Sequence, residues 1–527
     1  MKFWLNYYRN FFIEEKKDGC QLLAFIGRRI SLAVLILFGS TYLTYQLAAY
    51  SGDPLAAIRE STDPKKEVII AELTRALQLD VPPPARYFLW LQKALQGDFG
   101  DTVLLRFPVI DQIATAIPIT IRLLTISTIL AIVLGITFGV LSAIRQYSRL
   151  DYSLTFLSFL LFSLPIFWVA VMLKEYMAIQ FNDFLANPTI DLVSNLVIAA
   201  VLSVIITGFV SGTRKRVLIT FGASFVTIFL VFAAASATEW FRNPSLGIFG
   251  VTLLGASCSV GFTHVFTGLT NKKALGAGLT SVALGAAFYY PFAAIAGPGT
   301  NYPLVAAMAV LMLSVSYFVG YFFTKIDKGP VIRVSMLSAF FVSLFTVLDK
   351  LMLTWDEYYK LSDGRPIQTM GSYNITILSN DFWINNLDLL THLILPTTAL
   401  TLISFAGYLR YSRASVLEVL SMDYIRTARA KGMPEREVIL RHALRNAMIP
   451  LTTLIAFDIA GLVGGAIITE SVFGWRGMGS LANEAIQSQD LNLLMGTFSI
   501  TAFLAVMATL AADLIYSTLD PRIRIRK

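Results

Sequence analysis

Charge is scarce in this chain: Asp, Glu, Lys and Arg make up 14% of its 527 residues, while 56% are hydrophobic. A folded surface in water needs more polar cover than that, so a soluble enzyme is excluded. Cysteine is almost absent. Cys20 and Cys258 stand alone, one in a polar leader and one in an apolar stretch, and supply no disulfide framework. His264, His392 and His442 lie far apart without metal-site spacing, so no metal is expected. The sequence has no G-x-x-x-x-G-K-[ST] phosphate loop and no cluster of carboxylates, histidines or cysteines within its apolar segments. No catalytic residue is assigned.

What is present is a series of apolar runs about 20 residues long, as an all-α polytopic membrane protein needs to satisfy its backbone in lipid. Breaks at charge, Gly and Pro place spans near 31–50, 119–141, 153–173, 192–211, 217–237, 246–266, 275–296, 302–323, 331–352, 393–409, 448–469 and 493–514, about twelve in all. The first run is too long for a cleaved signal peptide and reads as a retained span. Ahead of it, Trp4, Tyr7, Tyr8, Phe11 and Phe12 fall at helical spacing beside Lys2 and Arg9, which predicts a short helix in the headgroup region.

Lys and Arg number 42 against 34 acidic residues. With the amino terminus inside, about 28 of the basic residues fall on inner segments and roughly 12 outside, more than half of the latter in one long loop where the rule is weak. Both termini are then cytoplasmic, and the positive excess encodes topology rather than nucleic-acid binding. Two outer segments, 51–116 and 349–391, exceed ordinary connection length. In the first, Val68, Ile69, Leu73, Ala76 and Leu77 have helical spacing, followed by Pro82, Pro83, Pro84, then Tyr87, Leu91 and Leu95. This pattern predicts a small folded cap.

The one long inner loop, 411–447, predicts a helix, a break at Gly432, and a second helix opened by Pro434. The residues alone leave two readings open: a lever for a cytoplasmic partner, or a basic loop that fixes orientation or touches anionic lipid.

Here a resemblance enters. Residues 423–450, DYIRTARAKGMPEREVILRHALRNAMIP, resemble the EAA coupling motif of the permease subunits of binding-protein-dependent ABC importers, in the oligopeptide, dipeptide and nickel variant. Arg426, Thr427 and Ala428 stand at the name-giving Glu-Ala-Ala. GDP at 52–54, RYFLWLQKALQGDFG at 86–100, SLPIFW at 163–168, HLILPTTALTL at 392–402, TESVFGWRGMGSL at 469–481 and LDPRIRIRK at 519–527 continue it. The coverage is about 28–182 and 388–527, and it is similar to the first of two peptide-permease subunits. Two features depart from the pattern. Residues 183–388 have no counterpart in the usual member and add six spans, an even number that leaves the next core span in its usual direction. Arg476 stands where the family has the proline of Trp-Pro-Gly.

The resemblance implies a type I permease core in two parts, 31–182 and 389–527, around the inserted region 183–388 and after a leader of 1–30. The external loop is 51–116 and the coupling loop 410–447. It implies a transport subunit, not an enzyme, in the bacterial cytoplasmic membrane. Its expected partners are a second homologous permease, one or two ATPase subunits and an extracytoplasmic solute-binding protein, with a peptide as solute. No cofactor is expected in this chain, ATP and Mg²⁺ belonging to the ATPases. Coupling is expected from Asp423, Tyr424, Arg426, Thr427, Ala428, Arg429, Ala430, Lys431, Gly432 and Glu435.

Candidates for the translocation path are Pro165, Asp458, Glu470, Phe473 and Trp475. Asp458 is the only acid deep in its span, where a carboxylate faces a cavity or a partner. Contact with a cationic solute group and a structural hydrogen bond to a neighbouring helix are its two readings. Pro165 would kink its span, and Glu470, Phe473 and Trp475 would sit at the outer mouth of theirs. A nickel chelate or another small solute stays open as cargo. A secondary transporter is the competing class, disfavoured by spans nearly free of ionisable groups.

Overall fold

The computed structural model describes residues 2–60, 64–103, 107–210, 212–325, 328–377, 379–461 and 467–519. Side chains of the leader, and with them the aromatic residues proposed as an interfacial anchor, lie outside the described set, as does nearly all of the 519–527 motif. The chain divides into two compact units, one of residues 1–173, 370–372 and 396–527, the other of 174–369 and 373–395. The second unit is slightly wider than the insertion 183–388 read from the sequence.

The first unit opens with α1 (Lys2–Ser51), one unbroken helix through leader and first span. No separate leader helix forms, since neither Gly nor Pro interrupts the run strongly enough to end it. The following outer segment folds into α2 (Ala56–Arg59), α3 (Lys66–Ala76) and α4 (Pro83–Ala94), the last opened by proline at its first turn. Leu55, Leu73 and Val103 bury together beneath them, while Tyr87 and Trp90 of α4 pack on Tyr45 of α1 and on Met495. The long span α5 (Val109–Ile144) leads to α6 (Arg149–Ser163) and α7 (Ile166–Lys174).

Between α6 and α7 the chain does more than kink. Leu164 is extended before Pro165, as a residue preceding proline prefers, and the helices on either side meet at 100°. A proline flanked by helical residues would only bend the axis; an extended residue before it ends the helix outright.

The second unit continues through α8 (Gln180–Ala186), α9 (Leu192–Gly208) and α10 (Arg214–Ala237), the latter two a pair packed on each other. No residue of α10 is buried within the chain. Next come α11 (Gly247–Phe266), α12 (Lys272–Ile295), α13 (Tyr302–Phe323) and α14 (Lys328–Leu353), with α14 against each of the other three. Small residues allow this. A Cβ on Gly285 would lie 2.3 Å from Val342, and Ser281 and Ser335 hydrogen-bond at 2.7 Å between α12 and α14. Asp349 of α14 pins the start of α11, accepting from the Leu246 and Gly247 N–H groups at 2.6 and 3.0 Å. After α15 (Trp355–Leu361), the helix α16 (Phe382–Leu420) begins in this unit and continues into the first past Pro396.

Back in the first unit follow α17 (Asp423–Ala430), α18 (Glu435–Glu437), α19 (Leu444–Gly461), α20 (Ile467–Phe473), α21 (Met478–Gln487) and α22 (Leu491–Leu519). Among the described residues nine helices are long and apolar enough to cross a membrane, and the bent α6–α7 pair makes up to ten. The sequence-predicted spans at 192–211 and 448–469 correspond to α9, only 17 residues long, and to α19, whose far end meets the undescribed residues 462–466. The protein is an all-helical, multi-pass membrane protein.

Candidate functional site

The long loop 411–447 is where polar side chains gather on regular structure. An isolated helix of eight residues is not stable in water, so α17 needs an anchor. Ile425 and Ala428, three residues apart, supply it by entering an apolar cluster of Ala143, Val416, Val419, Val438, Ala443 and Ala447. Burying Ile425 is worth about 2 kcal/mol. The other faces of α17 are open: Asp423, Tyr424, Arg426, Thr427, Arg429 and Ala430 are all exposed. Of the residues expected to couple, Ala428 alone points into the protein's own body.

The helix stops where glycine permits it. Lys431 closes on Thr427 O at 3.1 Å, and Gly432 then adopts φ +74°, a left-handed conformation costing other residues about 1–2 kcal/mol. Arg429 and Glu435 clasp across this turn with two hydrogen bonds, 3.0 and 2.6 Å. The Arg429 guanidinium holds the Glu435 carboxyl below the usual carboxylate range, and Glu435 in turn raises Arg429. Arg426 and Asp423 approach at 3.6 Å, both exposed, a contact of little energetic weight.

Several contacts tie this segment and its neighbours to the spans. Asn446 Nδ2 donates to Tyr424 Oη at 2.7 Å, and Ser415 Oγ to Ala447 O at 2.8 Å. Between α18 and α19, Val438–Ala443 form a π-helical turn, a widened geometry that often marks functional segments. Arg413 of α16 grips Asp151 of α6 through Nε at 2.7 Å and Nη2 at 3.0 Å, while Ser142 Oγ and Tyr147 N–H donate to the same carboxylate at 2.5 and 2.9 Å. One end each of α5, α6 and α16 is thereby fastened at one buried carboxylate. This group was missed in the sequence, whose one signal was a lone acid in a basic inner loop.

The path candidates fall into two sets. Asp458 is half-buried on α19 and accepts a 2.5 Å hydrogen bond from Tyr408 Oη of α16, the helix-to-helix reading foreseen for it. Glu470, Phe473 and Trp475 do not stand on an open surface. They are 0, 1 and 2% exposed. Glu470 accepts from Thr120 Oγ1 at 2.6 Å and from Ser480 N–H at 2.9 Å, so it fastens α20 to α5 and to the start of α21. Pro165 marks the α6–α7 break described above.

Residues 330–525 match the family of binding-protein-dependent transport system inner membrane components. The match begins within α14 and takes in the loop 411–447 and α19–α22. The oligopeptide transport system permease protein OppB of Mycobacterium tuberculosis is 25% identical over 501 residues, 95% of this chain and 99% of that protein. The oligopeptide permease protein AppB of Bacillus subtilis is 25% identical over 95% of this chain and 99% of its own length. The dipeptide permease protein DppB of Escherichia coli is 40% identical over 167 residues, 32% of this chain and 49% of that protein, which is therefore much shorter. With a surface-mounted polar helix ending at a left-handed glycine, seated on the ends of apolar spans, residues 330–525 of this chain are similar to binding-protein-dependent transport system inner membrane components.

Proposed function

We propose that this chain is a peptide-importing permease subunit that forms its translocation path together with a second homologous permease in the cytoplasmic membrane, both termini inside. An extracytoplasmic solute-binding protein delivers the peptide, and one or two separate ATPase subunits, holding ATP and Mg²⁺, supply the energy. The relatives named for oligopeptide and dipeptide transport support the cargo class.

One observation carries the coupling role. The exposed polar faces of α17 are held to the spans by Ile425 and Ala428, so a push on Asp423, Arg426, Thr427 or Lys431 reaches α16 and α19 through rigid packing. Gly432 and the Arg429–Glu435 clasp fix the end of the lever, and Arg413–Asp151 passes its motion to α5 and α6. In the path, Asp458 offers a carboxylate to a cationic peptide group when Tyr408 releases it. Purifying the chain with its native partners tests the reading. Two ATPase copies should co-purify, and added peptide should stimulate ATP hydrolysis. Peptide uptake that continues with nucleotide removed would contradict it.

A further inference from the structure

The cap on α1 holds a feature that coupling and translocation leave unused. Tyr45, Pro54, Ala76, Leu77, Gln78, Leu79, and from α4 Arg86, Trp90 and Lys93, with Asp98 and Asn492, surround a hollow of about 60 Å³. That is several times the roughly 10–15 Å³ one water needs.

Its donors are unusual. Arg86 is 6% exposed, yet its Nε has no hydrogen-bond partner, and among the described residues no carboxylate forms an ion pair with it. Its guanidinium lies 5.9 Å from the centre of the Tyr45 ring, a contact that neutralises no charge. Trp90, 8% exposed, likewise leaves its indole N–H unpartnered. Arginine cannot shed its proton, so a buried guanidinium is stable only against an anion or strong acceptors. At the rim Asp98 is exposed, and its Oδ1 takes the Gly100 N–H at 2.9 Å. Asn492 Nδ2 donates to Asp101 O at 3.0 Å. What remains unpartnered is Arg86 Nε and the Trp90 indole N–H, with the exposed Lys93 ammonium at the rim.

We propose that this hollow is a receptor for a carboxylate group, taken by the Arg86 fork with Trp90 N–H and Lys93 as supporting donors. A planar carboxylate matches the guanidinium bidentately and fits the volume. Placing its source outside the membrane rests on the orientation proposed above. The source is a side chain of the extracytoplasmic partner or the carboxyl terminus of the solute.

The full chain in detergent is titrated with sodium acetate at constant ionic strength, following tryptophan fluorescence. A saturable change is expected, lost in Trp90→Phe and weakened at least tenfold in Arg86→Gln. Ala76→Phe, at an exposed rim position that leaves Arg86 intact, should block it equally, and decides the matter if the arginine variant fails to fold. No saturable change in the parent chain, or full retention in Ala76→Phe, overturns the proposal. Competition then assigns the source. Displacement of acetate by the solute-binding protein points to the partner; displacement by a tripeptide but not by its carboxyl-terminal amide points to the solute. If neither displaces it, the hollow holds an adventitious ion only and the proposal falls. Acetate binding needs no ATPase, so failure here leaves the transport reading standing, and the reverse holds too.

Discussion

Helices α11–α14 of the second unit meet at glycine and serine, with Gly255 and Gly285 both against Val342 and polar pins such as Asp349 near helix ends. The first unit also meets at glycine, Gly135 and Gly139 of α5 against Tyr408 and Ser412 of α16, but adds charged or acidic groups distant in sequence: Asp151 to Arg413, Glu470 to Thr120, Asp458 to Tyr408. Close packing of small residues gives a bundle with one good arrangement. Hydrogen-bonded pairs can be exchanged for others as helices shift, which suits the tilting that the proposed coupling requires. On the function proposed above, this difference is consistent with motion in the first unit and a stiffer second one.

The comparison breaks most readily at Arg413. Arg413→Ala leaves the Asp151 carboxylate buried without its cation and should cost about 3 kcal/mol, read as a fall in Tm of the purified chain. The double variant with Asp151→Leu should recover part of it; no recovery would mean that the pair does not act as a unit. Next is Gly285→Leu, which drives a side chain into Val342 and should cost about 2 kcal/mol. Uptake per folded molecule is expected to stay near normal, because the stiff unit only has to fold. A smaller loss, about 1 kcal/mol, is expected for Gly432→Val, where space is open and the backbone angle alone objects. Uptake should nevertheless drop several-fold, since the lever's end is misdirected; unaltered uptake would separate Gly432 from coupling.

Glu435→Gln marks the small end, roughly 0.5 kcal/mol for an exposed pair and less in high salt. Because Arg429 lowers the folded-state pKa of Glu435, the clasp contributes fully above the ordinary Glu value near 4.3 and is lost as pH falls through the lowered one. A Tm-versus-pH curve should therefore show the parent and the Gln variant converging on acidification. Divergence at low pH would refute the assignment.

Much of this was written in local pattern. The glycine stop after Ala430 and the proline opening after it were legible because Gly and Pro act on their own backbone. Apolar runs located the helices, since length and hydropathy need no tertiary information. The 100° turn at Pro165 was not legible: a hydropathy window is blind to direction, and kink or break depends on whether Leu164 stays helical. Nor could sequence show that Glu470, Phe473 and Trp475 are packed away, or that Arg413 reaches Asp151 across 262 positions. Such pairings exist only once the helices are assembled.

The central claim is that α17 receives force from a separate ATPase. Ala430→Cys, at the exposed end of α17 in a Cys20→Ser, Cys258→Ser background, should cross-link to the ATPase subunit in inverted membranes, with a yield that changes when ATP is added. Absence of any cross-link at Ala430 in a complex that still hydrolyses ATP and imports peptide would contradict the account.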